Sequence, residues 1–268
     1  MTLPNIAREA VRLGLEEICV VKHYSERLPN GGEKWAHWKR VDPDAFDTFT
    51  TDLASFEAPP DLRILAGVET EIVDDRGGIN VPEHAAQRVD AVILSVHWLP
   101  SLPSLPVDGR LWPGDIDRES AEAAVTWRAR VHAAGASAIL QQYVAAYTRA
   151  IERNPKVRIL GHMHDGLRPL RTFEVPVDEL DDAELTELMG PLMTACTERA
   201  VLWELTNQPV ERPCVLETAE RAGVRFCATV DAHVLVKDNW SRKLRDHFQA
   251  ERYIESLGLT KGVVLLEP

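Results

Sequence analysis

The sequence predicts an α/β protein in which helices cover a parallel sheet, and a barrel is favoured over an open sheet. Short apolar runs recur along the chain, and helical patterns separate them. The runs do not alternate between apolar and polar residues, which indicates strands buried on both faces. With 268 residues and 45% hydrophobic content, the chain is long enough for one barrel-sized core. We therefore expect a single domain over residues 1–268.

The apolar runs give the predicted strands in chain order. They are EEICVV at 17–22, RILAGV at 63–68, DAVILSV at 90–96, VRIL at 157–160, AVLWEL at 200–205, VRFCATV at 224–230 and, as a further candidate, GVVLL at 262–266. Their length and their content of valine and isoleucine are typical of buried strands.

Helical patterns fill the intervals between the strands. In the first one, Leu3, Ile6, Ala7, Ala10 and Val11 share a helical face. Further helices are predicted at 43–56, 117–153 (as one or two), 177–199, 214–222 and 241–257. Residues 100–115 and 165–180 are rich in proline and turn residues, and each stretch follows a strand that ends near histidine. We expect both stretches to be long loops at the rim of a site.

Charge and composition exclude several classes of protein. The chain has 30 basic and 42 acidic residues, a net charge of −12, which argues against nucleic acid or an anionic membrane as the main partner. The four cysteines form no C-x-x-C pair, so we expect free thiols in a reducing compartment. No stretch reaches the roughly 18 apolar residues of a membrane span. These features predict a cytoplasmic protein.

Metal-compatible side chains stand at the end of each predicted strand. They are His23, Glu69, His97, His162, Glu204 with Asn207, and Asp231 with His233. The carboxyl ends of parallel strands lie on one face of an α/β fold, so these residues should converge. Imidazole and carboxylate ligands suit zinc, manganese or iron, and a carboxylate such as that of Glu69 can bridge two ions. A metal would also compensate the burial of Asp231 and His233 after an apolar run.

Simpler interpretations exist for each residue taken alone. A histidine at a strand end is more often a hydrogen-bonded core or rim residue than a ligand. Asp231 alone suits the N-cap of a helix, and Glu69 alone could pair with Arg63. The joint behaviour of six strand ends favours the metal site. The remaining histidines considered, which lie in helical or loop patterns, are not predicted to be ligands: His37, His84, His132 and His247.

Six stretches resemble the PHP phosphoesterases, and within them the histidinol phosphatases. They are IAREAVRLGLEEICVVKH, ILAGVETEI, VILSVHWLP, ILGHMHD, LWELTN and TVDAHV, which follow the family order over nearly the whole chain. The resemblance implies a distorted seven-stranded β/α barrel that holds up to three divalent metal ions. It also implies that the metal ligands are His23, Glu69, His97, His162, Asp231 and His233. His162 is favoured over His164 because it directly follows its strand.

One departure from the family concerns the start of the chain. Members open with a strand that carries an H-x-H pair and a third histidine soon after it, whereas this sequence begins at the helix that follows. Three expected ligands and the first barrel strand are therefore missing. A truncated sequence and a degenerate family member are both compatible with this gap, and truncation is the favoured interpretation because the other ligand positions are intact. Either way we expect fewer than three metals, and weak or absent phosphatase activity in this chain.

The resemblance implies a phosphoesterase that hydrolyses a small phosphate monoester, with L-histidinol phosphate of histidine biosynthesis as one candidate. Metal-activated water would attack phosphorus, and the expected catalytic residues are Asp231, Glu69 and His97. Arg168, Arg171 or Lys237 could orient the phosphate at the rim. Two alternatives stay open: a non-catalytic metal-binding descendant of the family, and a metal-dependent hydrolase of another bond type.

Overall fold

Six parallel strands form a single sheet in a computed structural model of the chain, which describes residues 2–24, 43–97, 99–105, 121–206, 210–229 and 249–263. The strands pair in sequence order. They are β1 (Glu17–His23), β2 (Arg63–Thr70), β3 (Ala91–Ser95), β4 (Val157–Gly161), β5 (Leu202–Leu205) and β6 (Phe226–Ala228). All six were predicted from the sequence within a few residues. Their order places every carboxyl end on the same face.

Helices occupy the connections between the strands. They are α1 (Leu3–Arg12), α2 (Pro43–Ser55), α3 (Glu83–Ala86), α4 (Ala121–Ala134), α5 (Ala136–Arg153), α6 (Arg168–Thr172), α7 (Asp182–Glu198) and α8 (Pro213–Arg221), with a further helical stretch over 249–256. The predicted helical region 117–153 is two helices, separated by Gly135 at φ 78°. Asp181 caps α7 by accepting a 2.8 Å hydrogen bond from the Glu184 N–H. None of the helices among the described residues is long and apolar enough to span a bilayer.

The sheet has two apolar faces, as the lack of alternation in the sequence predicts. Val92 and Leu94 of β3 belong to the main core beneath the helices, whereas Ile93 between them packs into a smaller cluster on the inner face. Leu65, Ala91, Ile159 and Leu202 complete that inner cluster, with Cys19 and Cys227 packed against it. Because these cysteines come from the first and last strands, the sheet curls into a half-barrel.

The two edges of the half-barrel differ. β1 is the first strand of the sheet, and within the described ranges it pairs only with β2. At the other edge the Phe226 N–H donates to the Thr260 carbonyl, and the Gly262 N–H donates to the Phe226 carbonyl, both at 2.9 Å. Lys261 thus forms a parallel bridge with β6, at the start of the predicted strand 262–266. The seventh strand and the absence of a first H-x-H strand stay predictions.

One of the two predicted rim loops contains regular structure. Residues 165–180 include α6 and a 3-10 turn at Val177–Glu179. Pro169 lies in the first turn of α6, where a missing N–H costs nothing, so the proline content does not exclude a short helix. The other rim loop is described only as far as residue 105. All four cysteines are free thiols, as predicted.

Candidate metal centre

Four of the predicted ligands meet at the carboxyl end of the sheet. Glu69 lies at the centre of the group, near the end of β2. Its Oε2 is 3.3 Å from His23 Nε2, and its Oε1 is 3.4 Å from His97 Nε2 and 3.5 Å from His162 Nε2. His23 ends β1, His97 follows β3 by two residues, and His162 directly follows β4. Convergence of these residues from four strands is what the parallel topology predicted.

Glu69, His97 and His162 could hold one metal ion. One ligand atom from each lies within 4.8 Å of the others. At a zinc–ligand distance of about 2.0–2.1 Å, two ligands of a tetrahedral ion stand roughly 3.3 Å apart. The 3.4 and 3.5 Å separations from Glu69 Oε1 to the two imidazole nitrogens match that spacing. The donor set of two imidazoles and a carboxylate also suits zinc, manganese or iron.

The electrostatics of the group favour an ionised Glu69. Burial by itself raises the pKa of this carboxyl, but hydrogen bonding from His162, the charges of His23 and His97 and the Ser95 hydroxyl outweigh burial and bring the pKa to about 2. Ser95 Oγ donates a 2.6 Å hydrogen bond to Glu69 Oε1. Glu69 is 8% exposed, so little water surrounds its carboxylate. A bound cation would compensate the charge of this buried carboxylate.

A strained turn presents the histidine that follows β4. His162 and His164 have φ values of 55° and 47°, in the left-handed region that non-glycine residues rarely adopt. Such strain costs of order 1–3 kcal/mol per residue and persists only where the surroundings hold it. Here Glu204 of β5 holds it: its carboxylate accepts from the His162 N–H, and its carbonyl accepts from the His164 N–H at 3.2 Å.

Glu204 is a site residue whose role sequence reasoning did not predict. The sequence placed Glu204 among the metal-compatible residues at the strand ends, whereas in the structure the residue is 4% exposed and its carboxylate accepts hydrogen bonds from protein groups. Thr229 Oγ1 donates to its Oε1, and His162 Nδ1 lies 3.7 Å from its Oε2. Burial raises the pKa of Glu204, although His162 and Thr229 oppose the shift. The sequence carried one signal, a carboxylate inside an apolar strand.

His164 is buried away from the metal-compatible group. It is 8% exposed, its Nε2 lies 3.4 Å from Thr206 Oγ1, and its carbonyl accepts from Trp203 Nε1 at 2.7 Å. Burial, followed by the charges of His162 and Arg168, lowers the pKa of His164, which favours the neutral ring. The metal-compatible group among the described residues contains His162 and not His164, and the assignment of His162 as a ligand stays a prediction.

The candidate phosphate-binding arginines differ in their surroundings. Arg171 is held in a network of acidic partners: Asp165 at 2.9 Å, Asp178 at 2.9 Å and Glu211 at 3.1 Å. Because these carboxylates neutralise it, Arg171 fastens the segment after β4 and is a poor phosphate ligand. Arg168 is exposed, and its charge acts on His164. It begins α6, which follows the carboxyl end of β4.

Several predicted site residues lie outside the described residues. They are Asp231, His233, Asn207 and Lys237. The roles assigned to these four residues stay predictions. The described part of β6 ends at Ala228, and Thr229 next to it contacts Glu204, so the chain reaches the carboxyl face just before the D-A-H sequence.

Curated relatives carry names that refer to phosphatases. A probable phosphatase of Thermoanaerobacter sp. (strain X514) is 24% identical over 267 residues, which is 98% of this chain and 83% of that protein. A probable phosphatase of Thermoanaerobacter pseudethanolicus matches equally. A third, from Caldanaerobacter subterraneus subsp. tengcongensis, is 33% identical over 97 residues, 36% of this chain and 33% of its own length. No family model matches the chain.

A solved structure shares the fold. The crystal structure of histidinol phosphate phosphatase from Lactococcus lactis subsp. lactis, in complex with zinc, L-histidinol and phosphate, aligns with a TM-score of 0.56. The alignment covers 99% of this chain and 90% of that one at 17% sequence identity. At this identity the likeness concerns the fold. The chain therefore shares an α/β architecture with that phosphatase, and its described residues form six parallel strands in a half-barrel.

Proposed function

We propose that the protein is a metal-dependent phosphatase that hydrolyses a small phosphate monoester, with L-histidinol phosphate as the first substrate to test. The observation that carries the proposal is the convergence of Glu69, His97 and His162 at one point of the carboxyl face. The phosphatase names of the relatives and the zinc, L-histidinol and phosphate in the Lactococcus structure support it. The proposed ligand set is His23, Glu69, His97, His162, Asp231 and His233.

The roles of the residues follow from their positions. Glu69 supplies the negative charge that draws a divalent cation among the histidines, and the Ser95 hydroxyl orients its carboxylate. Bound divalent metal supplies Lewis acidity, which activates water near neutral pH and neutralises phosphate charge. Glu204 keeps the turn that presents His162, and the Arg171 network keeps the segment behind that turn in place. Asp231 is the proposed group for proton transfer.

Activity and metal content of the purified chain test this proposal. After treatment with a chelator, we expect no phosphate release from L-histidinol phosphate or p-nitrophenyl phosphate. Reloading with zinc, manganese or iron should restore the release, and elemental analysis should give at least one ion per chain. A chain that binds metal but releases no phosphate from any monoester would contradict the phosphatase proposal. Hydrolysis of amides or esters alone would favour a hydrolase of another bond type.

Arg168 offers a test of phosphate recognition at the rim. We expect Arg168→Ala to raise KM for a phosphate monoester about tenfold, because a charge-assisted hydrogen bond to phosphate contributes about 1.5–3 kcal/mol and exposure reduces that contribution. The effect on kcat should be smaller. Steady-state kinetics of the metal-loaded protein measure both constants.

Arg199→Ala is the matched control for this substitution. Arg199 is exposed, but it precedes β5 and therefore lies at the opposite end of the sheet. Its removal should leave KM unchanged. An Arg168→Ala protein with the KM of the wild type would remove Arg168 from the proposed substrate site.

A further inference from the structure

We propose that Glu71 is a positioning residue that fixes the orientation and tautomer of His97 and thereby points His97 Nε2 toward the metal. This inference rests on the proposed metal site. Glu71 Oε1 lies 3.2 Å from His97 Nδ1, on the side of the ring opposite the Nε2 that faces Glu69. One imidazole thus lies between two carboxylates, of which only Glu69 belongs to the metal-compatible group among the described residues.

Strand geometry explains why Glu71 is in this place. Glu69 is the next-to-last residue of β2, and side chains two residues apart along an extended chain point the same way. Glu71 therefore follows Glu69 onto the site side of the sheet. A hydrogen bond fixes the backbone of Glu71 after the end of β2, because the Asn80 N–H donates to the Glu71 carbonyl at 2.9 Å. The position of the Glu71 carboxylate is thus set by the sheet.

Burial makes the contact with His97 directional. The Glu71 side chain is 1% exposed, so water does not compete for its carboxylate. A buried carboxylate needs a hydrogen-bond donor, and the Nδ1–H of His97 is one. With the proton on Nδ1, the lone pair of neutral His97 is on Nε2, which is the atom 3.4 Å from Glu69 Oε1. Removing such a partner behind a metal-bound histidine typically weakens metal binding about 10–100-fold.

Zinc affinity and the tautomer of His97 test the proposal separately. We expect Glu71→Ala to weaken zinc binding by about 10–100-fold in a competition titration with a chromophoric chelator. Glu71→Gln should lose less, because its amide oxygen still accepts from Nδ1–H. In metal-free protein labelled with 15N-histidine, long-range NMR at a pH where His97 is neutral should report Nδ1–H in the wild type. The same measurement should report a shift toward Nε2–H in Glu71→Ala. The His97→Gln variant identifies the His97 signal, because that signal is missing from its spectrum.

Glu220→Gln is the matched control. Glu220 accepts from Thr260 on the far side of the fold, at 2.8 Å from the N–H and 2.6 Å from the hydroxyl, and contacts none of the ligands that the structure describes. It should leave zinc affinity and the His97 signal unchanged. If Glu71→Ala does not fold, the zinc affinity of Glu71→Gln and the His97 tautomer of the wild type still test the proposal. An Nε2–H tautomer in the wild type overturns it.

The outcomes also separate this inference from the proposed function. A wild-type protein that binds zinc, shows the Nδ1–H tautomer and loses zinc affinity in Glu71→Ala, but has no phosphatase activity, supports the role of Glu71 and contradicts only the phosphatase. Phosphatase activity together with unchanged zinc affinity in Glu71→Ala overturns the role of Glu71 and leaves the phosphatase intact.

Discussion

Glu69→Gln should abolish metal binding and reduce phosphate release by at least about a thousandfold, since a catalytic metal contributes several kcal/mol to the transition state. Glu69 is the carboxylate whose oxygens lie 3.3–3.5 Å from nitrogens of three histidines. A neutral amide removes the charge that attracts the cation. Elemental analysis of the purified variant and a phosphate-release assay with added metal measure the two effects.

The Glu69→Gln variant should stay folded without metal, so that a loss of metal content can be assigned to the site. The amide can still accept the Ser95 hydrogen bond, so we expect the fold to persist and the far-ultraviolet circular dichroism spectrum to match the wild type. Glu174→Gln is a control for loss of a carboxylate, because Glu174 forms a surface pair with Arg128 at 2.7 Å. Exposed pairs contribute about 1 kcal/mol or less, so this variant should keep full metal content. Normal metal content in Glu69→Gln would contradict the central role of Glu69.

The parts of the site that the sequence predicts are those that depend on one strand at a time. His23, Glu69 and His162 each end or follow an apolar run, and parallel strands bring such ends together whatever the exact register. Buried strands were recognisable for the same reason, because continuous apolar runs report burial on both faces. The pattern of apolar residues along the chain was sufficient to predict the buried strands and the polar residues at their ends.

The parts that the sequence does not predict depend on contacts between distant segments. Glu204 accepts the N–H of His162, which is 42 residues away, and this contact depends on the pairing of β4 with β5. The left-handed φ of His162 is likewise a property of the folded turn, because histidine is enriched in that region but most histidines do not adopt it. The sequence pattern predicts an exposed side chain for Glu71, because this residue follows the end of β2.

Gly161 links the packing of the inner face to the geometry of the metal centre, so we expect Gly161→Ala to damage both. Gly161 ends β4 and pairs with Ser95 of β3. A Cβ at this position would stand 2.5 Å from Ser95 Oγ and 2.7 Å from Ile93 Cγ2, distances that real Cβ atoms essentially never show. Ile93 is β-branched and stiff, so the neighbours cannot yield cheaply. Overpacking of this kind costs about 1–3 kcal/mol of unfolding free energy, measurable by urea denaturation.

The same displacement should reach Glu69 through Ser95. Because Ser95 Oγ donates to Glu69 Oε1 at 2.6 Å, pushing the hydroxyl away leaves the carboxylate without its fixed orientation. We therefore expect weaker zinc binding in Gly161→Ala as well as lower stability. A double-mutant cycle with Ser95→Ala tests the route: if the effect passes through Ser95, the second substitution should add little further loss of zinc affinity.

Gly190→Ala is the control for adding a methyl group outside the site. A Cβ at Gly190, in the middle of α7, meets nothing within 4 Å beyond its chain neighbours. Higher helix propensity favours alanine there, while crowding against the ring of Pro191 opposes it, so stability should stay within about 1 kcal/mol of the wild type. Zinc binding should not change. Equal zinc affinity in Gly161→Ala and Gly190→Ala would mean that the centre tolerates movement of Ser95 and that Glu69 is oriented by its histidine neighbours alone.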